Sequence, residues 1–202
     1  MPEKRVEVVS QYVSDMHVLE SHILKPLTRQ VEQTKEEQPD ISRALQNYVA
    51  TTERHIARLE ERLKALGSQD TLADRAKQGV SALFGLAAGA IDSVRTHPFA
   101  KNLRDDYTAG SLAVVSYVML RTTALACDDQ ESAQLAETHM NETVEMLQWI
   151  ARTIPAQVVR DLERERDVEL KSGAANQVIN DPKLSVLYGS KPSDSTAQSA
   201  IH

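Results

Sequence analysis

The sequence predicts an all-α protein, a four-helix bundle with a long helical connection between its second and third helices. Three observations predict this. Apolar residues recur at steps of three and four along nearly the whole chain. Only 4% of the 202 residues are aromatic and only 7 are glycine, which an all-β sandwich could not tolerate. Breaks in the pattern fall where proline, glycine and aspartate occur, and they cut the chain into helix-length pieces.

The first piece spans residues 6–32. Val6, Val9, Val13, Met16, Glu20, Ile23, Leu27 and Val31 share one helix face. The run from Gln33 to Asp40 breaks it, and Pro39-Asp40 signals a new start with Asp40 as N-cap. The second piece, 41–66, carries Ile41, Leu45, Tyr48, Thr52, His55, Leu59, Leu63 and Leu66 on one face, and Gly67 stops it. A third helix is expected at about 71–95, opened by Thr71 and Asp74 in capping-box spacing. His97-Pro98 separates it from the fourth helix, 99–126, which is apolar nearly all round from Gly110 to Leu120 and so reads as deeply buried. Asp128 and Asp129 cap the fifth piece, 130–152, with Leu135, His139, Glu142, Met146 and Ile150 as its seam. Pro155 is expected to end it, with a short charged helix from Ala156 to about Leu170. The domain therefore covers 1–170, and residues 171–202, which show no period, form a flexible tail.

The four long pieces reach roughly 35–40 Å at about 1.5 Å per residue. Short links make the first pair and the last pair antiparallel hairpins. The middle link is long enough to run back along the bundle, which would leave the second and third bundle helices parallel. Two hairpins joined by one long crossover is the ferritin-like connection. A plain up-down bundle with the extra helix packed outside is the alternative.

Several functions are excluded by composition. The net charge is −6 with both signs mixed, unlike the basic patch of a nucleic-acid binder. The single cysteine, Cys127, leaves no disulfide and no cysteine-based zinc cluster. With no signal peptide either, a cytoplasmic location is expected. The most apolar window, Gly79–Ile91, is 13 residues long where a membrane span needs roughly 20, so it reads as a buried or interface helix. Its small-residue face, Gly79, Ala82, Gly85, Ala88 and Gly89, would let another helix approach closely, and a homodimer through this helix or its neighbours is expected. His22, His97, Cys127 and Trp149 read as surface, capping or core residues, and no phosphate loop or nucleophile elbow occurs.

Polar residues inside the apolar seams carry the functional signal, because a buried charge is costly unless paired or metal-bound. Glu20, His55, His139 and Glu142 sit mid-helix on seam positions and would share one layer. Carboxylates and imidazoles from facing helices can hold iron or manganese, the usual two-metal set being two Glu and two Glu-x-x-His pairs. Here the second helix reads Thr52-x-x-His55, and the fifth reads His139-x-x-Glu142 in reverse order. The fourth offers Gly110 to Ala113 at this level, with Asp106 about 9 Å away by helical rise. The competing reading is a polar layer whose members bond to one another, to Tyr48 or Tyr117, and to water.

The stretches SDMHVLESHILKPL, TTERHIARLEERLKALG, SYVMLRTTALA and LAETHMNETVEMLQWI resemble helices of the ferritin-like YciE/YciF bacterial stress proteins. Glu20, His55, Tyr117, Leu120, Arg121, Thr122 and Glu142 carry the resemblance. The resemblance implies a ferritin-like fold, homodimerisation and a stress-associated role. The family's Glu before the imidazole position is replaced by Thr51 or Thr52, and its acidic residue upstream of Tyr117 falls among Gly110 to Ala113. Three readings follow. The leading one is a non-catalytic protein acting through self-association or a partner. The second is an iron or manganese protein with peroxide, oxygen or storage chemistry. The third is a membrane-surface or partner-binding role for the Gly79–Ile91 helix.

Overall fold

A computed structural model describes residues 3–67, 99–165 and 169–189. Of these residues 89% are helical, and none forms a strand. The long helices are α1 (Glu3–Thr34), α2 (Pro39–Ala65), α3 (Phe99–Ala126) and α4 (Gln130–Glu165). Two short ones follow, α5 (Ala174–Ile179) and α6 (Ser185–Tyr188), joined through a 3-10 turn at Pro182–Leu184. The crossover helix expected at 71–95, and with it the Gly79, Ala82, Gly85, Ala88 and Gly89 face, lies outside the described residues.

The chain divides into two compact units, residues 1–96 with 105–147 and residues 97–104 with 148–202. In the first unit the apolar stripes meet in a core. Val9, Val13, Met16, Ile23 and Leu27 of α1 pack there with Leu45, Leu59 and Leu63 of α2, Ala113, Tyr117 and Leu120 of α3, and Ala133 and Ala136 of α4, all buried. In the second unit Asp161 of α4 accepts a 2.8 Å bond from the Ala100 backbone N–H, filling a donor left open in the first turn of α3. Arg152 donates to the carbonyl of Tyr188, whose ring is buried.

Side-chain partners fix the helix directions. His17 meets Glu60 and the Ser42 hydroxyl meets the Val31 carbonyl, so α1 and α2 are antiparallel. Tyr117 meets Glu20 while Asp106 meets Gln30, so α3 also runs against α1. Arg121 with Glu137, and Gly110 against Leu147, set α4 against α3. Arg62 with Asp129, and His55 with Glu142, set α4 against α2. It follows that α2 and α3 are parallel, and the ferritin-like connection holds rather than the up-down alternative.

Local signals explain most boundaries. Gly67 closes α2 in the left-handed region at φ 73°, its N–H bonded to the Lys64 carbonyl. The Asp129 carboxylate accepts from both the Ser132 N–H and its hydroxyl, capping α4. Two expectations need correction. Asp40 is not the N-cap of α2, because the helix begins at Pro39 and Asp40 falls in its first turn, next to the positive end of the helix dipole. Pro155 does not end α4, which continues unbroken to Glu165. A proline removes one backbone bond and strains one turn. Buried Ile150 and Ala151 before it and Gln157 after it hold the helix on both sides.

A third correction concerns α3. It is not buried all round: Val115, Val118, Met119 and Leu125 are 58%, 48%, 49% and 47% exposed. They form an apolar outward stripe at helical spacing, opposite the core face of Leu103, Ala113, Tyr117, Leu120 and Ala124. By length and composition α3 also meets the requirement for a membrane span, although 28% of its most apolar window is buried in the fold. Gly110 marks the closest approach of α3 to α4. A Cβ there would lie 2.8 Å from Leu147 Cδ2 and 3.1 Å from Met146 Cε. Gly110→Leu is therefore expected to cost about 1–3 kcal/mol by overpacking, measurable as a lower urea midpoint.

Candidate functional site

Each long helix contributes to one polar layer in the first unit. Glu20 comes from α1 and His55 from α2, Tyr117 from α3, and His139 and Glu142 from α4. The seams that bury these helices put them there. Glu20 follows Met16 by four residues, and His55 precedes Leu59 by four. Tyr117 follows Ala113 and precedes Leu120 on the inner face of α3. His139 falls on a seam made of Ala133, Ala136, His139, Thr143 and Met146. Leu135 and Glu142 flank that seam rather than lie on it, and the Glu142 side chain is 34% exposed. The small residues Ala136 and Thr143 were the inward ones, which an apolar count underweights.

The bonds form a continuous chain. The Tyr117 hydroxyl donates to Glu20 Oε1 at 2.6 Å. His55 Nδ1 donates to the same oxygen at 3.1 Å, and His55 Nε2 donates to Glu142 Oε2 at 2.6 Å. Arg54 Nη2 donates to Glu142 Oε1 at 2.9 Å. Carboxylates only accept, so both His55 bonds form together when both ring nitrogens carry hydrogens, as in the imidazolium. The phenol has a single proton and gives it to Glu20. His139 Nδ1 therefore donates to the phenol oxygen, at 3.0 Å. That assigns the His139 tautomer and leaves its Nε2 as a bare acceptor, buried and without a partner.

Charge in the layer is balanced: two carboxylates face the His55 cation and the Arg54 guanidinium. Burial raises the Glu142 carboxyl, but the hydrogen bond and charge of His55, with Arg54, hold it below its usual range. His139 is pushed down to about 2, first by burial and then by the positive charges of His55, Arg58 and Arg54. Its ring stacks on that of His55 with centroids 3.9 Å apart, an arrangement suited to one charged and one neutral imidazole. Burial and the adjacent Glu20 charge push the Tyr117 phenol well above its ordinary range.

Beside the layer is a cavity of about 10 Å³ bordered by Glu20, Tyr48, Thr52, His55, Glu142 and Thr143, room for about one water. A larger depression of about 740 Å³ between the end of α2 and the start of α4 is an open surface groove that includes no member of the layer. Arg62 crosses that end of the bundle. It bonds both Asp129 oxygens at 2.7 and 2.8 Å, as well as Ser132 and Glu131.

The donor set does not fit the metal centre of a ferritin-like protein. Glu20 and both nitrogens of His55 are engaged with one another, with Tyr117 and with Glu142, and Arg54 takes the other Glu142 oxygen. Among the described residues, no three His, Cys, Asp or Glu side chains are arranged to hold a metal ion. Helix α3 supplies a phenol at this level, and α2 supplies Thr52. Asp106 is buried but belongs elsewhere, accepting a 3.0 Å bond from Gln30. Burial pushes the Asp106 carboxyl up to about 7 despite that bond. Two partners in these networks escaped sequence reasoning. Arg54 lies on the exposed side of α2 and reaches the layer by its length. Gln30 follows Leu27 by three residues, so its position within the stripe was the available signal.

Four helices with parallel diagonal pairs, closed around a central polar layer, define a ferritin-like helical-bundle protein. The chain belongs to the family described as Domain of unknown function (DUF892), whose model matches residues 6–163. It is similar to the crystal structure of a protein from Xanthomonas campestris pv. campestris str. ATCC 33913. The two share 21% identity over 80% of this chain and 98% of that one, with a TM-score of 0.64, which speaks to the fold. No curated protein matches the chain.

Proposed function

We propose that this is a non-catalytic, stress-associated protein of the YciE/YciF type that acts through self-association or a protein partner. The observation that carries the reading is the His55 bridge. A protonated imidazole sits between Glu20 and Glu142 and supplies the positive charge that a metal would supply in a ferritin-like centre. The layer then sets helix register, the best-attested use of a buried polar group. The exposed stripe of Val115, Val118, Met119 and Leu125 supports the interaction half of the reading, because contiguous apolar surface marks contact sites. The stress setting and the cytoplasmic location come from the family resemblance and composition.

Light scattering and metal analysis on aerobically purified protein test both halves. The expected result is a dimer or larger at micromolar concentration, a monomer for Val115→Glu with Met119→Glu, and no stoichiometric iron or manganese. A monomeric parent would remove the association half. One tightly bound metal per chain, lost in Glu20→Gln, would replace the reading with iron or manganese chemistry toward peroxide or oxygen.

A further inference from the structure

Tyr117 is fully buried, and its hydroxyl lies between a carboxylate oxygen at 2.6 Å and an imidazole nitrogen at 3.0 Å. A structural tyrosine needs one partner to satisfy its hydroxyl. This one has an acceptor for its proton and, separately, a donor to its oxygen. In that setting the phenol does not ionise alone, since burial and Glu20 both disfavour the phenolate. It can release an electron if its proton leaves in the same step, because a phenol that has lost an electron is a strong acid. The Glu20 carboxylate stands one hydrogen bond away, so the proton needs no water. The ring is fully buried, which shields it from coupling with a second radical.

We propose that Tyr117 is a one-electron donor to oxidising radicals of the peroxyl or hydroxyl class, with Glu20 as the acceptor of its proton. The O–H bond of the phenol breaks and an O–H bond forms on Glu20 Oε1. Tyr117 becomes a neutral phenoxyl radical, Glu20 becomes a carboxylic acid, and the oxidant is reduced by one electron. His139 Nδ1–H keeps its bond to the phenoxyl oxygen, and the His55 cation keeps Glu142 as its counter-ion while its Nδ1–H faces the now neutral Glu20 carboxyl, so the layer gains the one positive charge that the lost electron leaves. The inference is independent of self-association.

Laser-flash oxidation of the full chain, with a photoexcited ruthenium polypyridine complex and persulfate as electron acceptor, tests it by electron paramagnetic resonance. The expected result is a long-lived phenoxyl signal in the parent that forms more slowly in deuterated water. Tyr117→Phe should abolish it while short-lived signals from the other four tyrosines persist. Glu20→Gln keeps the size of the side chain but accepts no proton, and should slow formation roughly a hundredfold, the scale of a positioned proton acceptor. Glu131→Gln, at the start of α4 and outside the layer, should leave the signal in place. Circular dichroism checks that each variant is folded. If Glu20→Gln fails to fold, the Tyr117→Phe comparison and the deuterium effect on the parent decide. A long-lived signal that survives Tyr117→Phe, or a formation rate that ignores deuterium, would overturn the proposal.

Discussion

His55→Leu is expected to lower stability by about 3–5 kcal/mol, the cost of removing one partner from a buried ion pair. Leucine fills much of the imidazole's volume, so the loss is electrostatic rather than a cavity effect. The Glu20 side chain is 3% exposed and would keep only the Tyr117 hydroxyl as a donor, with no cation left beside it. Glu142 would fare better, because Arg54 still reaches it and water does too. Adding Glu20→Met to His55→Leu should therefore recover most of the loss, since an apolar replacement of the whole pair is often neutral. Urea unfolding of both single variants and the double variant gives the coupling directly. Losses that simply add would mean that the His55–Glu20 bridge is not an ion pair.

The pH dependence should follow from two buried groups that oppose each other. His139 is held at about 2 against an ordinary 6.5. As pH falls through 6.5 the unfolded chain takes up a proton that the folded chain refuses. The His139 contribution is thus complete above 6.5 and is lost at about 1.4 kcal/mol per pH unit below it. Asp106 is raised to about 7 from an ordinary 3.8. Its contribution is complete below 3.8 and is lost as pH rises to 7, because the folded chain holds a proton that the unfolded chain releases. Over the shared window the slopes have opposite sign, and the parent should show a nearly flat stability profile there. Asp106→Asn removes one slope. The variant should gain up to about 4 kcal/mol above pH 7, three pH units at about 1.4 each, and should lose stability steeply on acidification. Asn also matches the site: Gln30 Oε1 and the ionised Asp106 Oδ2 are both buried acceptors without partners, and an amide at 106 brings at every pH the donor that Asp106 brings only when protonated. Urea midpoints at acid, neutral and mildly alkaline pH check this. An Asp106→Asn protein no more stable than the parent at pH 8 would contradict it.

Much of the fold was legible in the sequence because helix period is a local property. A stripe such as Val9, Val13, Met16, Ile23 and Leu27 dictates a face wherever the helix goes, and Gly67 and Asp129 end or start helices through their own backbone bonds. Pro155 misled for the converse reason. Its effect on the backbone is local, but whether the helix survives depends on packing on both sides, which no window of sequence reports. The exposed stripe of α3 was hidden in the same way, since an all-apolar helix has the same sequence whether one face or every face is covered.

The layer divides along the same line. Polar residues on the inner stripes flagged Glu20, His55 and His139 from sequence alone, because a charged or imidazole group among apolar seam positions demands a partner. Which partner it takes is a matter of distance between helices that are far apart in the chain. Only the tertiary structure placed His55 between two carboxylates, turned His139 toward Tyr117 instead of Glu142, brought Arg54 in from the surface, and paired Asp106 with Gln30. Hydrogen bonds act over about 3 Å, so a shift of one helix by a fraction of a turn would reassign every one of them.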